Sequence, residues 1–202
     1  MPDPIEDKLW ARTRQAVHAE VARIAMELFL ERGFEATTID DIAAAAGISR
    51  RSFFRYFGTK EDIVLGDLAA QGERIRERLL ARPDHEDAWT ALLNALRDAP
   101  RPGRDEATTL KISKMLYGTP SLRARSIEKH LHWQELLTPE IRRRLGRAPG
   151  DEHDLRAAAI VACVLACLDV AGEAWTRSDG AEPLEELVLA AVTAVRQSTP
   201  GT

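Results

Sequence analysis

The chain has 202 residues, of which 45% are hydrophobic and 30% are charged. This balance is typical of a globular protein of one or two domains and excludes a chain that is disordered throughout. The formal net charge of −4 does not by itself favour a nucleic-acid-binding protein, because such proteins usually carry excess positive charge. The two cysteines, Cys163 and Cys167, are too few for a disulfide framework and indicate a reducing, cytoplasmic location.

The charge is distributed unevenly along the chain. The segment 47–60 contains four basic residues and no acidic one, whereas 61–202 contains 19 basic and 23 acidic residues and is net −4. This local excess of positive charge is the pattern of a protein that binds a polyanion at one face. The N-terminus has no secretory signal, and the longest apolar run, 157–168, is too short to span a bilayer, so we expect a soluble protein without membrane contact.

The N-terminal part is predicted to consist of a flexible arm and three helices. Residues 1–14 contain two prolines and no helical period, which predicts the arm. Apolar residues at helical spacing predict the helices, at about 17–33, 38–47 and 50–57. Thr38 and Ser49 are expected to cap the second and third helices, and Gly47 to form the turn between them.

The rest of the chain is predicted to be helical as well. A long fourth helix is expected to begin at Thr59 and to continue to about residue 82. A fifth helix follows Pro83 and ends before a loop at 100–103. The remaining helices are predicted at about 105–117, 120–145 with an interruption at Thr138–Pro139, 152–177 after a loop at 147–150, and 183–197. No alternating run of β-branched residues competes with these periods, so the predicted fold class is all-α with about nine helices.

The segment 38–60 carries the predicted chemistry. Two short helices joined by a turn that contains glycine have the spacing of a helix-turn-helix, and an arginine on the second helix can bond bidentately to guanine in the major groove. The residues expected at base edges are Arg50, Arg51, Ser52 and Arg55, and those expected at phosphates are Thr38, Ser49, Tyr56 and Lys60. The alternative is that the basic residues are only a solvated face of a short helix.

The sequence AMELFLERGFEATTIDDIAAAAGISRRSFFRYFGTKEDIV resembles the DNA-binding region of TetR-family transcriptional regulators. The resemblance, over about 17–64, implies an all-α homodimer with an N-terminal DNA-binding domain and a C-terminal domain for dimerisation and ligand binding. It implies that the phosphate-contacting and base-contacting residues named above, except Arg55, lie at the family's DNA-contacting positions. Two residues depart from the family pattern. Phe54 stands where the family often has a tyrosine that reaches phosphate, and phenylalanine has no hydroxyl group to donate a hydrogen bond. Arg51 stands where the family often has glycine.

The predicted domains are the arm 1–14, a helix-turn-helix domain 15–60 and a ligand-binding and dimerisation domain 61–202. The predicted eighth and ninth helices, 152–177 and 183–197, have broad apolar faces, and two such helices from each of two subunits would form a four-helix interface. A purely internal core is the alternative. The expected partners are double-stranded operator DNA of two-fold symmetry, a second copy of the chain and a small-molecule effector.

The effector is predicted to be largely apolar or aromatic. The candidate ligand-binding residues are large side chains on the predicted fifth to eighth helices: Trp89, Met115, Tyr117, Trp133 and Trp175. Each of them also fits an ordinary core position. Lys111, Lys114 and His132 are available to an acidic effector. The predicted function is a repressor that leaves its operator when an effector moves the long fourth helix; the alternative is an all-α small-molecule-binding or interaction protein without specific DNA recognition.

No pattern in the sequence favours an enzyme, and no catalytic residue, metal ligand or cofactor is predicted. His130 and His132 lack partners at metal-ligand spacing and are expected to be solvated. Cys163 and Cys167 share a helical face. Their alternative roles are those of buried thiols or of a redox sensor. Asp169 lies in the same apolar run, and four hypotheses remain open for it: a water, an arginine, the ligand pocket or the subunit interface.

Overall fold

The computed structural model describes residues 4–66, 68–97, 105–146 and 155–197, without the side chains of 4–12, 68, 69 and 197. In these ranges the chain forms ten helices and no strand, which confirms the predicted all-α class. The contacts divide the chain between Gly66 and Asp67 into two compact units. This division lies six residues beyond the one predicted at residue 60. The predicted loops at 100–103 and 147–150 lie outside the described residues.

The first unit contains four helices. They are α1 (Pro4–Arg32), α2 (Ile39–Ala45), α3 (Arg50–Tyr56) and α4 (Glu61–Leu65). Its core consists of apolar side chains from all four helices and the turn after α1: Val21, Ala25, Phe29, Phe34, Ile42, Phe53, Phe57 and Ile63. Burial of these side chains supplies the main stabilisation of the unit.

The predicted flexible arm is wrong from residue 4 onward, because α1 begins at Pro4. A proline at the first helical position costs no hydrogen bond, since its missing N–H would have no partner there. The helix is polar along much of its length. Arg23, for example, pairs with Glu20 and Glu27, both at 2.6 Å. Such pairs at spacings of three and four residues stabilise the exposed face of the helix.

The second unit contains six helices. They are α5 (Leu68–Ala81), α6 (Ala88–Arg97), α7 (Glu106–Gly118), α8 (Pro120–Arg144), α9 (Leu155–Arg177) and α10 (Leu184–Gln197). Helix α9 packs against α6, α7, α8 and α10. Most of the unit's core comes from α5, α6, α8 and α9, including Leu79, Leu92, Leu137, Ile141, Val161 and Leu165.

The long fourth helix predicted from Thr59 to about residue 82 is wrong. Helix α4 ends at Leu65, and Gly66 follows with φ 69 and ψ −165. This combination of backbone angles is essentially restricted to glycine and ends the helix. The apolar stripe that predicted one helix is therefore divided between α4 and α5.

The interruption predicted at Thr138–Pro139 is also wrong, because α8 runs unbroken from Pro120 to Arg144. The Thr138 hydroxyl donates to the Gln134 carbonyl at 2.6 Å, inside the same turn. After the proline, the buried Glu140 carboxylate accepts from Arg144 at 3.0 Å. These contacts hold the helix together across the site where proline removes one backbone donor.

Helix α9 is the one described helix that is long and apolar enough to cross a membrane by length and composition alone. Its nine buried residues pack inside the second unit: Ala157, Ile160, Val161, Val164, Leu165, Cys167, Ala171, Gly172 and Trp175. This is the pattern of a core helix, and the buried residues extend beyond the apolar run 157–168.

Candidate functional sites

Helices α2 and α3 form a compact pair joined by a tight turn. Thr38 caps α2, with its hydroxyl accepting from the Asp41 N–H at 3.1 Å, and Ser49 caps α3, with its hydroxyl accepting from the Ser52 N–H at 3.0 Å. Gly47 adopts φ 65 between them, a left-handed conformation that glycine takes without strain. The predicted caps and turn are confirmed.

The two faces of α3 have opposite character. Phe53 and Phe57 are buried, and their ring centroids lie 5.5 Å apart. The other face is exposed and carries Arg50, Arg51, Phe54 and Arg55. Because the apolar face fixes the helix to its neighbours, the basic face is presented to solvent in a defined orientation. A helix of this kind can enter a major groove.

The three arginines of this face differ in their surroundings. Arg50 bonds to the Asp40 carboxylate at 3.0 Å and lies 5.8 Å from the Phe54 ring centroid. The Arg55 guanidinium lies 5.3 Å from the Tyr56 ring centroid. Among the residues that the structure describes, Arg51 makes no ion pair or ring contact. Its guanidinium is therefore the least engaged of the three.

The candidate phosphate-contacting residues surround this face. The Thr38 and Ser49 hydroxyls are engaged in the helix caps, and Tyr56 is half-buried. The Lys60 ammonium donates to the carbonyls of Phe34 at 2.9 Å and Thr37 at 3.3 Å. It also lies 4.3 Å from the Phe34 ring centroid. Lys60 thus ties the turn after α1 to the start of α4, a role that its spacing in the sequence did not show.

The five candidate ligand-binding residues are not gathered at one cavity in the described part of the second unit. Trp133 and Trp175 are buried, and Trp89, Met115 and Tyr117 are half-buried. The Trp133 ring packs so closely on α5 that a Cβ at Gly72 would lie 2.8 Å from it. Only Tyr117 lines a described cavity. Among the possible partners of an acidic effector, Lys114 pairs with Asp179.

A small cavity of about 80 Å³ lies between α7, α8 and α9. It is lined by Leu116, Tyr117, Arg123, Ser126, Ile127 and Asp169. His130 Nδ1 lies 2.9 Å from Asp169 Oδ2, and the histidine is 9% exposed. The prediction of a solvated His130 is therefore wrong. Burial, together with the Asp169 and Glu173 carboxylates, raises the pKa of Tyr117 to about 12.

A second cavity, of about 270 Å³, lies between α6, α9 and α10. Five aliphatic side chains line it: Leu93, Leu96, Leu168, Val188 and Leu189. Arg97 and Glu185 also line it and form an ion pair of 2.7 Å. This group is not recognisable in the sequence, because its members come from three separate helices and each fits an ordinary apolar stripe.

The outward face of α9 is apolar. Ala159, Ala166 and Val170 are exposed and Cys163 is half-buried, so these residues form one stripe at spacings of three and four. Val170 is 59% exposed. Burial raises the pKa of the neighbouring Cys167 thiol, which favours its unreactive protonated form.

Comparison with known proteins identifies relatives of both units. Residues 23–66 match the family model described as "Bacterial regulatory proteins, tetR family", and residues 86–200 match the one described as "MftR C-terminal domain". The putative mycofactocin biosynthesis transcriptional regulator MftR of Mycobacterium tuberculosis is 30% identical over 190 residues, 91% of each chain. The regulator TcmR of Streptomyces glaucescens is 32% identical over 163 residues, 77% of this chain and 71% of TcmR.

Solved structures share the fold. FadR of Thermus thermophilus, a TetR-family repressor in complex with lauroyl-CoA, superposes with a TM-score of 0.57 and 24% identity, over 92% of this chain and 98% of FadR. NalD of Pseudomonas aeruginosa, the secondary repressor of the MexAB-OprM multidrug efflux pump, superposes with a TM-score of 0.53 and 19% identity, over 92% and 96%.

Proposed function

The chain belongs to the TetR family of bacterial regulatory proteins, and on that premise we propose that it is a dimeric repressor that a small, largely apolar or aromatic effector releases from a two-fold operator. It is a DNA-binding transcriptional regulator. Proteins of this family bind DNA and small-molecule effectors, typically as dimers. The observation that carries the proposal is the fixed helix-turn-helix with an exposed basic face on α3. Its site of action is the cytoplasm, where bacterial promoters lie.

The proposed base contacts come from the exposed face of α3. Arg51 is proposed to bond bidentately to guanine, because its guanidinium has no competing partner in the described part of the chain. Arg50, Ser52 and Arg55 are the other proposed base-edge residues. Asp40 holds Arg50 at 3.0 Å, so a guanine contact by Arg50 would replace or share that ion pair.

The proposed phosphate contacts are made by Thr38, Ser49, Tyr56 and Lys60. A lysine ammonium has three N–H donors, and the two carbonyls near Lys60 take two of them. The third remains for a phosphate oxygen, so the loop contacts orient the ammonium instead of withdrawing it from DNA. Contacts of this kind fix register and carry no sequence information.

The proposed dimer forms through α9 and α10, the helices predicted as the eighth and ninth. The outward stripe of α9 supports this proposal, because it places Ala159, Cys163, Ala166 and Val170 together without a charge. Small residues let two helices approach closely, and an exposed apolar face of this kind is typical of an interface. A two-fold dimer matches a two-fold operator.

The proposed effector binds in the second unit, for which the large side chains Trp89, Met115, Tyr117, Trp133 and Trp175 remain the sequence-based candidates. The aliphatic cavity of about 270 Å³ between α6, α9 and α10 supports an apolar effector. FadR, which shares the fold, is described in complex with lauroyl-CoA. We therefore include lauroyl-CoA among the test compounds, with free CoA as the control.

Release requires that the effector bind one state more tightly than the other. A hundredfold preference for the state that does not bind DNA corresponds to about 2.7 kcal/mol, and operator DNA must then weaken effector binding by the same factor. The experiment measures fluorescence anisotropy of a labelled duplex from the protein's own upstream DNA while apolar and aromatic compounds are added. A releasing compound is then titrated with and without operator. Equal affinities in the two titrations would contradict effector-released repression.

A further inference from the structure

The small cavity between α7, α8 and α9 is lined by hydroxyl groups that lack partners among the described residues. Ser126 is 6% exposed and lines this cavity, yet its hydroxyl makes no hydrogen bond within the described ranges. The Tyr117 hydroxyl, which lines the same cavity, also makes none within those ranges. Hydroxyl groups inside a folded protein normally have hydrogen-bond partners. The cavity is therefore built to receive a polar group.

Asp169 gives the cavity its charge. It is the one Asp, Glu, Lys or Arg residue between 157 and 172, on the otherwise apolar stretch of α9. One carboxylate oxygen faces His130 Nδ1 at 2.9 Å, and the other has no partner within the described residues. Histidine thus orients the carboxylate and leaves one acceptor at the cavity.

The neighbouring cations are not bonded to this acceptor, although the nearby Asp169 charge acts to raise the pKa of Lys129. Arg123 lines the cavity, but its guanidinium bonds to Glu173 at 3.3 Å. The Lys129 ammonium lies 4.8 Å from the Trp133 ring centroid, and burial lowers the pKa of Lys129. The carboxylate therefore faces the cavity without a cation bonded to it.

The shape of the cavity depends on a close approach at α9. A Cβ at Gly172 would lie 2.1 Å from the Tyr117 hydroxyl oxygen. Because glycine leaves this space open, the Tyr117 hydroxyl group and the adjoining ring atoms lie close against α9. A glycine in an apolar helix has a cost in stability, and here it makes room for a hydroxyl.

We propose that this cavity is a subsite for the polar end of the effector, and that it binds a hydrogen-bond donor, an ammonium in preference to a hydroxyl, through Asp169, Tyr117 and Ser126. The subsite rests on the proposed effector-binding function and specifies the chemistry of the ligand. A carboxylate is disfavoured there, because it would face the charge of Asp169 at short range. The adjoining Leu116 and Ile127 contact the first carbons of the ligand.

The test uses three small compounds of equal chain length: n-butylammonium, n-butanol and butyrate. Binding to the full-length protein without DNA is measured by tryptophan fluorescence, since the Trp133 and His130 ring centroids are 5.8 Å apart. We expect n-butylammonium to bind most tightly and butyrate least. Asp169→Asn should weaken the binding of n-butylammonium about tenfold, which corresponds to about 1.4 kcal/mol. Ser126→Ala should weaken this binding by a smaller factor. Glu77→Gln, at an exposed acid on α5 that lines neither cavity described above, is the matched control.

Two results would overturn the subsite: butyrate binding at least as tightly as n-butylammonium, or unchanged n-butylammonium affinity in both Asp169→Asn and Ser126→Ala. Melting curves verify that each variant folds, and Ser126→Ala removes only one oxygen. Because DNA is absent, the assay is independent of release. Ammonium binding without any loss of operator affinity would leave the subsite intact and contradict the proposed repression mechanism.

A separate inference concerns Phe54 on α3. Its ring is 47% exposed on the basic face, between Arg50 and Arg55. The core of the first unit does not need it, because Phe53 and Phe57 fill the buried face. The Arg50 guanidinium, 5.8 Å from the ring centroid, restricts its position. We infer that Phe54 contacts the methyl group of a thymine in the operator, since aromatic rings make apolar contacts with this group in the major groove.

Replacing thymine by uracil removes only that methyl group. We expect one thymine in each half-site at which uracil weakens wild-type binding several-fold but leaves Phe54→Ala unaffected. The control Leu30→Ala, which shortens an exposed apolar side chain on α1, should retain the wild-type discrimination. If no thymine-to-uracil change weakens the wild type, or if Phe54→Ala discriminates as the wild type does, Phe54 does not contact a thymine methyl. If the wild-type protein shows no sequence-specific DNA binding at all, the result would instead contradict the regulator function.

Discussion

Arg50 and Arg51 are adjacent on α3 but differ in the contacts that they would lose on binding DNA. Arg50 is held by Asp40 at 3.0 Å, whereas Arg51 makes no ion pair within the described residues. A guanine contact by Arg51 therefore costs no ion pair. The family often has glycine at this position. We therefore expect Arg51 to contribute most to any difference between the operator sequence of this chain and those of its relatives.

Replacing Arg51 by alanine should weaken operator binding by about 1–3 kcal/mol and binding to random DNA much less. Arg50→Ala should cost less than Arg51→Ala, because wild-type Arg50 must first loosen its bond to Asp40. Both affinities are measured by anisotropy at one salt concentration. Equal losses on operator and random DNA would mean that Arg51 only neutralises phosphate.

Lys60→Ala should affect both folding and DNA binding. The substitution removes two hydrogen bonds to the Phe34 and Thr37 carbonyls and should lower the free energy of unfolding by about 1 kcal/mol. Loss of the proposed phosphate contact should also reduce the slope of log K against log salt by about one unit. An unchanged slope with a lowered melting temperature would show that Lys60 serves only the fold.

At the scale of helices, local signals predicted the DNA-binding segment well. The caps at Thr38 and Ser49 and the turn at Gly47 depend on neighbouring residues, so they are visible in the sequence. The break between α4 and α5 was not, because Gly66 lies inside a continuous apolar stripe and a single glycine is often tolerated in a helix. The predicted release by movement of one long fourth helix is therefore wrong as well, because α4 ends at Leu65.

Gly66→Ala should destabilise the protein by about 1–3 kcal/mol, because φ 69 with ψ −165 is strained for any residue with a Cβ. Gly118→Ala is the matched control, since a Cβ there meets nothing within 4 Å and no positive φ is required. Urea unfolding gives both values. Equal stability of the two variants would mean that the backbone at residue 66 relaxes to other angles.

The cavities could not be predicted from the sequence, because each is assembled from residues far apart in the chain. Tyr117, Ser126 and Asp169 come from three helices, and only packing of α7, α8 and α9 brings them together. The sequence marked Asp169 as unusual but left its partner open. His130 was wrongly expected to be solvated, because the spacing of histidines along one helix does not show which residues pack against that helix.

At the scale of the whole molecule, the proposed dimer depends on the apolar stripe of α9. Val170→Asp should produce a monomer and lower operator affinity, because the side chain is 59% exposed in one subunit and a charge there would be buried in the dimer. Leu131→Asp, at a residue 56% exposed on α8, is the control and should remain dimeric. Analytical ultracentrifugation distinguishes the two outcomes, and a dimeric Val170→Asp protein would place the interface elsewhere.

The proposed function requires that the α3 face of a dimer recognise a specific DNA sequence. The most direct measurement selects bound duplexes from random DNA and compares the affinity for the selected sequence with that for a scrambled one at the same salt concentration. We predict two symmetric half-sites and an affinity ratio of at least about 10³. Equal affinity for the selected and scrambled sequences, or selection without any shared sequence, would contradict the proposed function.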